Sequence, residues 1–189
     1  MEDVKKVEII EKHFAEIMKT LGLDLKSPSI KDTPKRVAKM YVHELFSGLK
    51  DAPPRITTFP NPAYNQMIVM RDITIFSCCE HHFVPIVGNC HIAYLPNKKV
   101  IGLSKLIRVA QHFAAKPQIQ EGLTQEIGAY LQKVLGTKDV ALVVDCKHFC
   151  CSMRGARDIN SSTVTTFLDG AFLNDTTKEE FLMAIKLNK

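Results

Sequence analysis

A chain of 189 residues with a hydrophobic fraction of 46% is long enough to bury one core, with room for a helical appendage. The formal charge of +5 is mild, no lysine–arginine block is dense enough for a nucleic-acid arm, tryptophan is absent, and no apolar run reaches bilayer-spanning length. Nucleic acid and membrane are therefore excluded as expected partners, whereas a modest positive excess suits a small anionic substrate such as a phosphate ester as well as it suits plain solubility.

The first six residues alternate in charge and lack a signal-peptide core, so the expected location is cytoplasmic. Six cysteines in a chain of that location point to metal binding or redox chemistry rather than to a disulfide framework. Over residues 4–21, Val4, Val7, Ile10, Phe14, Ile17, Met18 and Leu21 recur at helical spacing. Asp32-Thr33-Pro34 supplies an N-cap candidate with proline in the first turn, and Val37, Met40, Tyr41, Leu45 and Phe46 mark a second amphipathic helix that ends near Gly48. Asp51-Ala52-Pro53-Pro54 breaks regular structure, which sets the expected boundary between an N-terminal helical region, 1–54, and a catalytic domain, 55–189.

Gln66 to Phe76 is rich in apolar and β-branched residues and predicts a strand. Val84 to Leu95 predicts its hairpin partner, with His91, Ala93 and Leu95 on one face and Ile92 and Tyr94 on the other. Two helices are expected over Ser104–Ala115 and Gln118–Leu135, then strands over Ala141–Phe149 and Thr163–Leu168, then a helix over Lys178–Leu187. The order β-β-α-α-β-β implies an α+β fold, an antiparallel sheet with a helix pair on one face. The open edges of such a sheet need cover, and edge-to-edge ring assembly is one solution.

Cys78-Cys79-Glu80-His81-His82 falls in the connection between the first two strands, and His148-Phe149-Cys150-Cys151 at the end of the third. Cys79 and His82, separated by two residues, have the spacing of a chain that wraps one ion, and Cys150 is the chosen third ligand. Two thiolates and an imidazole suit zinc and leave a coordination position open for water, whereas a structural zinc closes its shell with a fourth protein ligand. Cys78 stays open as a switched or fourth ligand. On a regular strand His148 and Cys150 share a face and Cys151 points away. Cys90 and Cys146 read as small core hydrophobes.

Three further groups carry chemistry beside a plain structural reading. Ser104, Lys105 and Arg108 follow Gly102 at a helix N-terminus, where free N–H groups and two cations favour phosphate; a capping serine on a solvated basic face accounts for the same pattern. Glu121, preceded by Gln120 at the next helix start, offers a carboxylate that accepts two hydrogen bonds from a guanine edge; a helix N-terminus favours glutamate in any case. Arg154 is within reach of an anion near the metal, and Arg36 is by default a surface charge.

These segments together resemble GTP cyclohydrolase I. The resemblance runs through Asp32-Thr33-Pro34-Lys35-Arg36-Val37-Ala38-Lys39-Met40-Tyr41, Cys79-Glu80-His81-His82-Phe83, Gly102-Leu103-Ser104-Lys105-Leu106, Lys116-Pro117-Gln118-Ile119-Gln120-Glu121 and His148-Phe149-Cys150, five motifs in order. It implies the T-fold and a toroidal homodecamer of two pentamers, with active sites between subunits. It implies Zn2+ held by Cys79, His82 and Cys150, and guanine held by Glu121 and Gln120. Triphosphate would be bound by Lys105, Arg108 and Arg154, with Arg36 from a neighbouring subunit, and His81, His148 and Ser104 would act on the ribose and the opened ring. The implied reaction takes GTP and water to 7,8-dihydroneopterin triphosphate and formate. Cys78 and Cys151 depart from the common pattern and add thiols open to oxidation. Two other classes remain to be told apart: a non-catalytic zinc-stabilised interaction module with four closed ligands, and a pterin- or deazaguanine-processing relative with the same fold.

Overall fold

The computed structural model describes residues 2–50 and 52–186; Met1, Asp51 and Leu187 to Lys189 lie outside the described residues, and with them the last position of the expected C-terminal helix. The chain divides into two units between residues 51 and 52, three residues before the boundary expected from the proline pair. In the first unit α1 spans Asp3–Thr20 and α2 Thr33–Met40. Pro34 occupies the first turn of α2, where its missing N–H costs nothing. Asp32 stands at the N-cap position, yet its side chain makes no capping bond. α2 runs into a π-helical turn over Tyr41–Leu45, and Val7, Ala38 and Val42 bury against one another with Ile10.

The second unit is mixed α+β. Its sheet contains β2 (Ile68–Cys79), β3 (Pro85–Tyr94), β5 (Pro117–Gln118), β6 (Val140–His148) and β7 (Thr163–Leu168) in the order β5-β2-β3-β6-β7; β1 (Thr58–Pro60) and β4 (Lys99–Ile101) form a separate two-stranded ribbon. All pairings in the five-stranded sheet are antiparallel except that of β5 with β2. Two helices, α3 (Leu103–Ala114) and α4 (Gln120–Leu135), pack Leu106, Val109, Ala110, Leu123, Ile127 and Leu131 onto one face. At Gly128 the helix comes so near the sheet that an added Cβ would fall 2.5 Å from the Phe167 ring. The opposite face has its own smaller cover. Phe172 and Phe181, from the turn Gly170–Leu173 and helix α6 (Asp175–Lys186), close over Ala93, Ala141 and Val143.

One irregularity in β2 decides which residues reach the helix side. Ile68 and Met70, at even positions, face the helices; beyond a register shift between Met70 and Ile73, the odd residues Ile73, Ile75 and Cys79 do. The extra residue is Asp72, with φ +56, a left-handed value that aspartate tolerates better than β-branched residues. Its N–H donates to His91 Nδ1 at 3.2 Å, which gives the bulged backbone a partner. A one-residue insertion exchanges the two faces of a strand. The bulge thus puts Cys79, and not Cys78, on the helix side where β2 ends.

Candidate functional site

The loop after β2 is a tight reversal. Cys79 N–H donates to Val84 O at 2.9 Å, Phe83 N–H donates to Cys79 O at 2.8 Å, and Phe83 adopts φ +54. A phenylalanine in left-handed backbone is costly and is held there by the bonds on either side. The reversal brings the His82 ring back over the Cys79 sulfur, with Nδ1 3.9 Å from Sγ. His81 Nδ1 lies at the same 3.9 Å, while its Nε2 is 3.7 Å from a Glu80 carboxylate oxygen.

The second cluster departs from the sequence reading. β6 ends at His148, and Phe149–Ser152 forms a helical turn, α5, rather than continuing the strand. Met153 N–H donates to Phe149 O at 3.0 Å and Ser152 Oγ to His148 O at 3.1 Å, so local bonds replace the ladder. Strand alternation therefore does not relate His148 to Cys150 or direct Cys151 away. Cys150 is delivered by the helical turn, and its Sγ lies 4.0 Å from that of Cys151.

Cys79, His82 and Cys150 converge, their ligand atoms all within 4.8 Å of one another. A tetrahedral ion with Zn–S of about 2.3 Å and Zn–N of about 2.0 Å holds such atoms about 3.5–3.8 Å apart, so a small inward adjustment suffices. The donor set fits a borderline-soft divalent ion. Burial, followed by hydrogen bonding with Cys79 and Cys151, pushes the Cys150 thiol up to about 11, so a metal must displace a proton there. Cys78 is buried with its thiol directed to the Cys79 carbonyl at 3.9 Å, and burial raises it above the ordinary thiol range. Neither Cys78 nor His81 belongs to the converging group among the described residues. Cys90 and Cys146 are wholly core; burial pushes Cys146 up to about 12 and Cys90 higher still.

Around this centre, Arg154 Nη1 donates to His82 Nε2 at 3.0 Å. His148 Nε2 is 2.8 Å from Gln120 Oε1. Burial holds the His148 imidazole below its ordinary value, and the nearby Glu121 carboxylate opposes that effect. The Gln120 side chain, expected on the substrate, is 1% exposed, and its Nε2 is engaged by Val144 O, Thr163 O and Thr165 Oγ1. Sequence reasoning passed over Thr124 and Thr165, which complete this network; a threonine four residues after Gln120 on the same helix face was the available signal.

Ser104, Lys105 and Arg108 lie along α3, whose N-cap is Gly102 rather than a serine; among the described residues no hydrogen bond or ion pair ties them to the Cys–His–Cys group. Arg36, in the first unit, donates through Nη2 to Thr33 Oγ1 at 2.8 Å and Ser29 O at 3.3 Å.

A family model described as GTP cyclohydrolase I matches residues 10–186. A protein named GTP cyclohydrolase 1 from Flavobacterium johnsoniae is 50% identical over 188 residues, covering 98% of this chain and 84% of that relative. Proteins of the same name from Aeromonas hydrophila and Edwardsiella ictaluri are 51% and 49% identical, covering 96% and 97% of this chain and 85% and 84% of theirs.

Proposed function

This chain belongs to the GTP cyclohydrolase I family, and from that premise we propose that it hydrolyses GTP at C8 of guanine and rearranges the product to 7,8-dihydroneopterin triphosphate and formate. The convergence of Cys79 at the end of β2, His82 in the loop that follows and Cys150 in a helical turn 68 residues past His82 is the observation that carries the reading. The metal is Zn2+. When bound, zinc in this donor set supplies hydroxide at neutral pH by lowering the pKa of water. Three protein ligands are what such a centre needs, and this favours the enzyme over a four-ligand interaction module.

The chain's residues divide the remaining work. His148, held neutral by burial, takes and gives a proton at the purine ring nitrogen that loses its bond to C8. Glu121 accepts from the guanine N1–H and 2-amino group. His81, exposed beside Glu80, protonates the ribose ring oxygen, and Ser104 relays a proton during rearrangement. Lys105, Arg108, Arg154 and a neighbouring subunit's Arg36 bind triphosphate. Arg154 Nη1 now donates to His82 Nε2 at 3.0 Å; were His82 to hold the metal through Nδ1, Nε2 would carry the ring hydrogen and Arg154 would be released to the triphosphate.

The succession of the longer elements, β2 and β3, then α3 and α4, then β6 and β7, supports assigning residues 55–189 to a T-fold catalytic domain preceded by a helical region. The β7 edge, where Val164 is exposed, supports assembly edge to edge into a homodecamer. Among the described residues no helix is long and apolar enough to cross a membrane. The role we assign is in tetrahydrofolate and pterin synthesis, in the cytoplasm. Mixing protein with GTP tests the function: formate and a pterin absorbance must rise together, and a chelator must abolish both. Formate without a pterin chromophore would indicate a relative that stops at ring opening; neither product would reject the assignment.

A further inference from the structure

We propose that Gln120 is a positioning residue that locks His148 in one tautomer, hydrogen on Nε2 and lone pair on Nδ1, so that Nδ1 is the atom through which His148 exchanges protons with substrate. The direction of every bond in the network follows from chemistry. Thr124 Oγ1 donates its single hydrogen to Gln120 O at 2.8 Å. The 2.7 Å contact between Thr124 Oγ1 and Thr165 Oγ1 must then be donated by Thr165, which leaves Thr165 Oγ1 as an acceptor.

Gln120 Nε2 faces that acceptor at 3.0 Å and two carbonyl oxygens, Val144 O at 3.0 Å and Thr163 O at 2.8 Å. Rotating the amide by half a turn would set Oε1 against those two carbonyls, acceptor against acceptor, in a site that is 1% exposed. The amide has one orientation. Oε1, which only accepts, is therefore the atom 2.8 Å from His148 Nε2, and His148 must donate. Since the neutral ring carries one hydrogen, Nδ1 keeps the lone pair.

The anchors of the amide are backbone carbonyls of β6 and β7 and the Thr165 hydroxyl on β7, and His148 itself ends β6. Gln120 is thus spent on the histidine rather than on the substrate. The hydrogen on Nε2 follows from the geometry alone; the free Nδ1 is that of the neutral ring, and its catalytic consequence rests on the reading of His148 as proton carrier.

Solid-state NMR of 15N-histidine-labelled protein, with His148 assigned by difference against H148Q, reads the tautomer without substrate. A single Nε2–H form whose proton exchanges slowly with solvent is expected. An Nδ1–H form or an even mixture would overturn the proposal, whatever the protein does to GTP. Gln120→Met should abolish the slow exchange and lower kcat at least about tenfold while KM shifts less than about threefold. Ile127→Val, on the same helix, should lower the melting temperature and leave the His148 signal and kcat alone. A Gln120→Met variant with raised KM and unaltered kcat would make Gln120 a substrate ligand and defeat the proposal, as would one with slow exchange intact. Should Gln120→Met not fold, the wild-type tautomer decides.

Discussion

Two pairs of cysteines ride on the same group of strands and have opposite fates. Cys90 and Cys146 sit within β3 and β6, enclosed by the helix-side core, with thiols pushed far above their ordinary range by burial. Cys79 and Cys150 stand where β2 ends and just past the end of β6, and there they meet His82. Residue type and neighbouring strands are shared. What differs is whether the ladder continues: mid-strand, the backbone fixes each thiol among apolar side chains; at the strand ends, a reversal and a helical turn bend two thiols toward one point.

The comparison breaks most readily at the strand ends. Cys79→Ser or Cys150→Ser should abolish stoichiometric metal and lower GTP turnover at least about a thousandfold, since one soft ligand of three is lost. Metal analysis beside a formate assay measures both. Cys90→Ala and Cys146→Ala should instead keep one metal per chain and lose about 1–2 kcal/mol of stability by denaturant unfolding. Metal loss in either would erase the distinction. His148→Ala should retain metal and lose turnover about 100- to 10,000-fold, the range of a positioned acid or base.

Much of this contrast was legible in the residues. The Cys79–His82 spacing and the paired motif at His148 named the centre, and the alternation of His91 to Leu95 assigned two sheet faces that the two cores bear out. Other features were hidden for physical reasons. Asp72 gives no glycine signal for its bulge, yet the bulge selects Cys79 over Cys78. Ser77-Cys78-Cys79 lacks the β-branched pattern of the residues before it, so β2 reads short by three residues. β1 and β4, three residues each, are too brief to show any period. The turn at Phe149–Ser152 depends on local hydrogen bonds that composition does not encode. Gln120, which the resemblance places on guanine, gives no sign in the sequence of the burial that the tertiary fold imposes on it.

Smaller effects sharpen the contrast further. Because Cys150 starts from about 11 and must ionise to bind, apparent metal affinity should rise as pH rises from 6 to 8; competition with a chromophoric chelator measures it, and a flat profile would deny thiolate ligation. Brief alkylation of the metal-free protein should label exposed Cys151 first and leave Cys90 and Cys146 untouched until unfolding, as peptide mass spectrometry would show. Arg154→Gln should leave metal affinity equal or slightly raised, because the contact to His82 Nε2 competes with ligation; a large drop would mean that Arg154 supports the ion instead.

The proposed chemistry rests on a centre with two sulfurs, one imidazole and a vertex left for water. Cobalt-substituted protein tests it directly, since thiolate-to-metal charge-transfer intensity counts sulfurs and an added small anion probes the open vertex. One ion per chain, the intensity of two thiolates and a spectrum that shifts on adding azide are predicted. Three or more thiolates, or a spectrum that azide leaves unchanged, would contradict it.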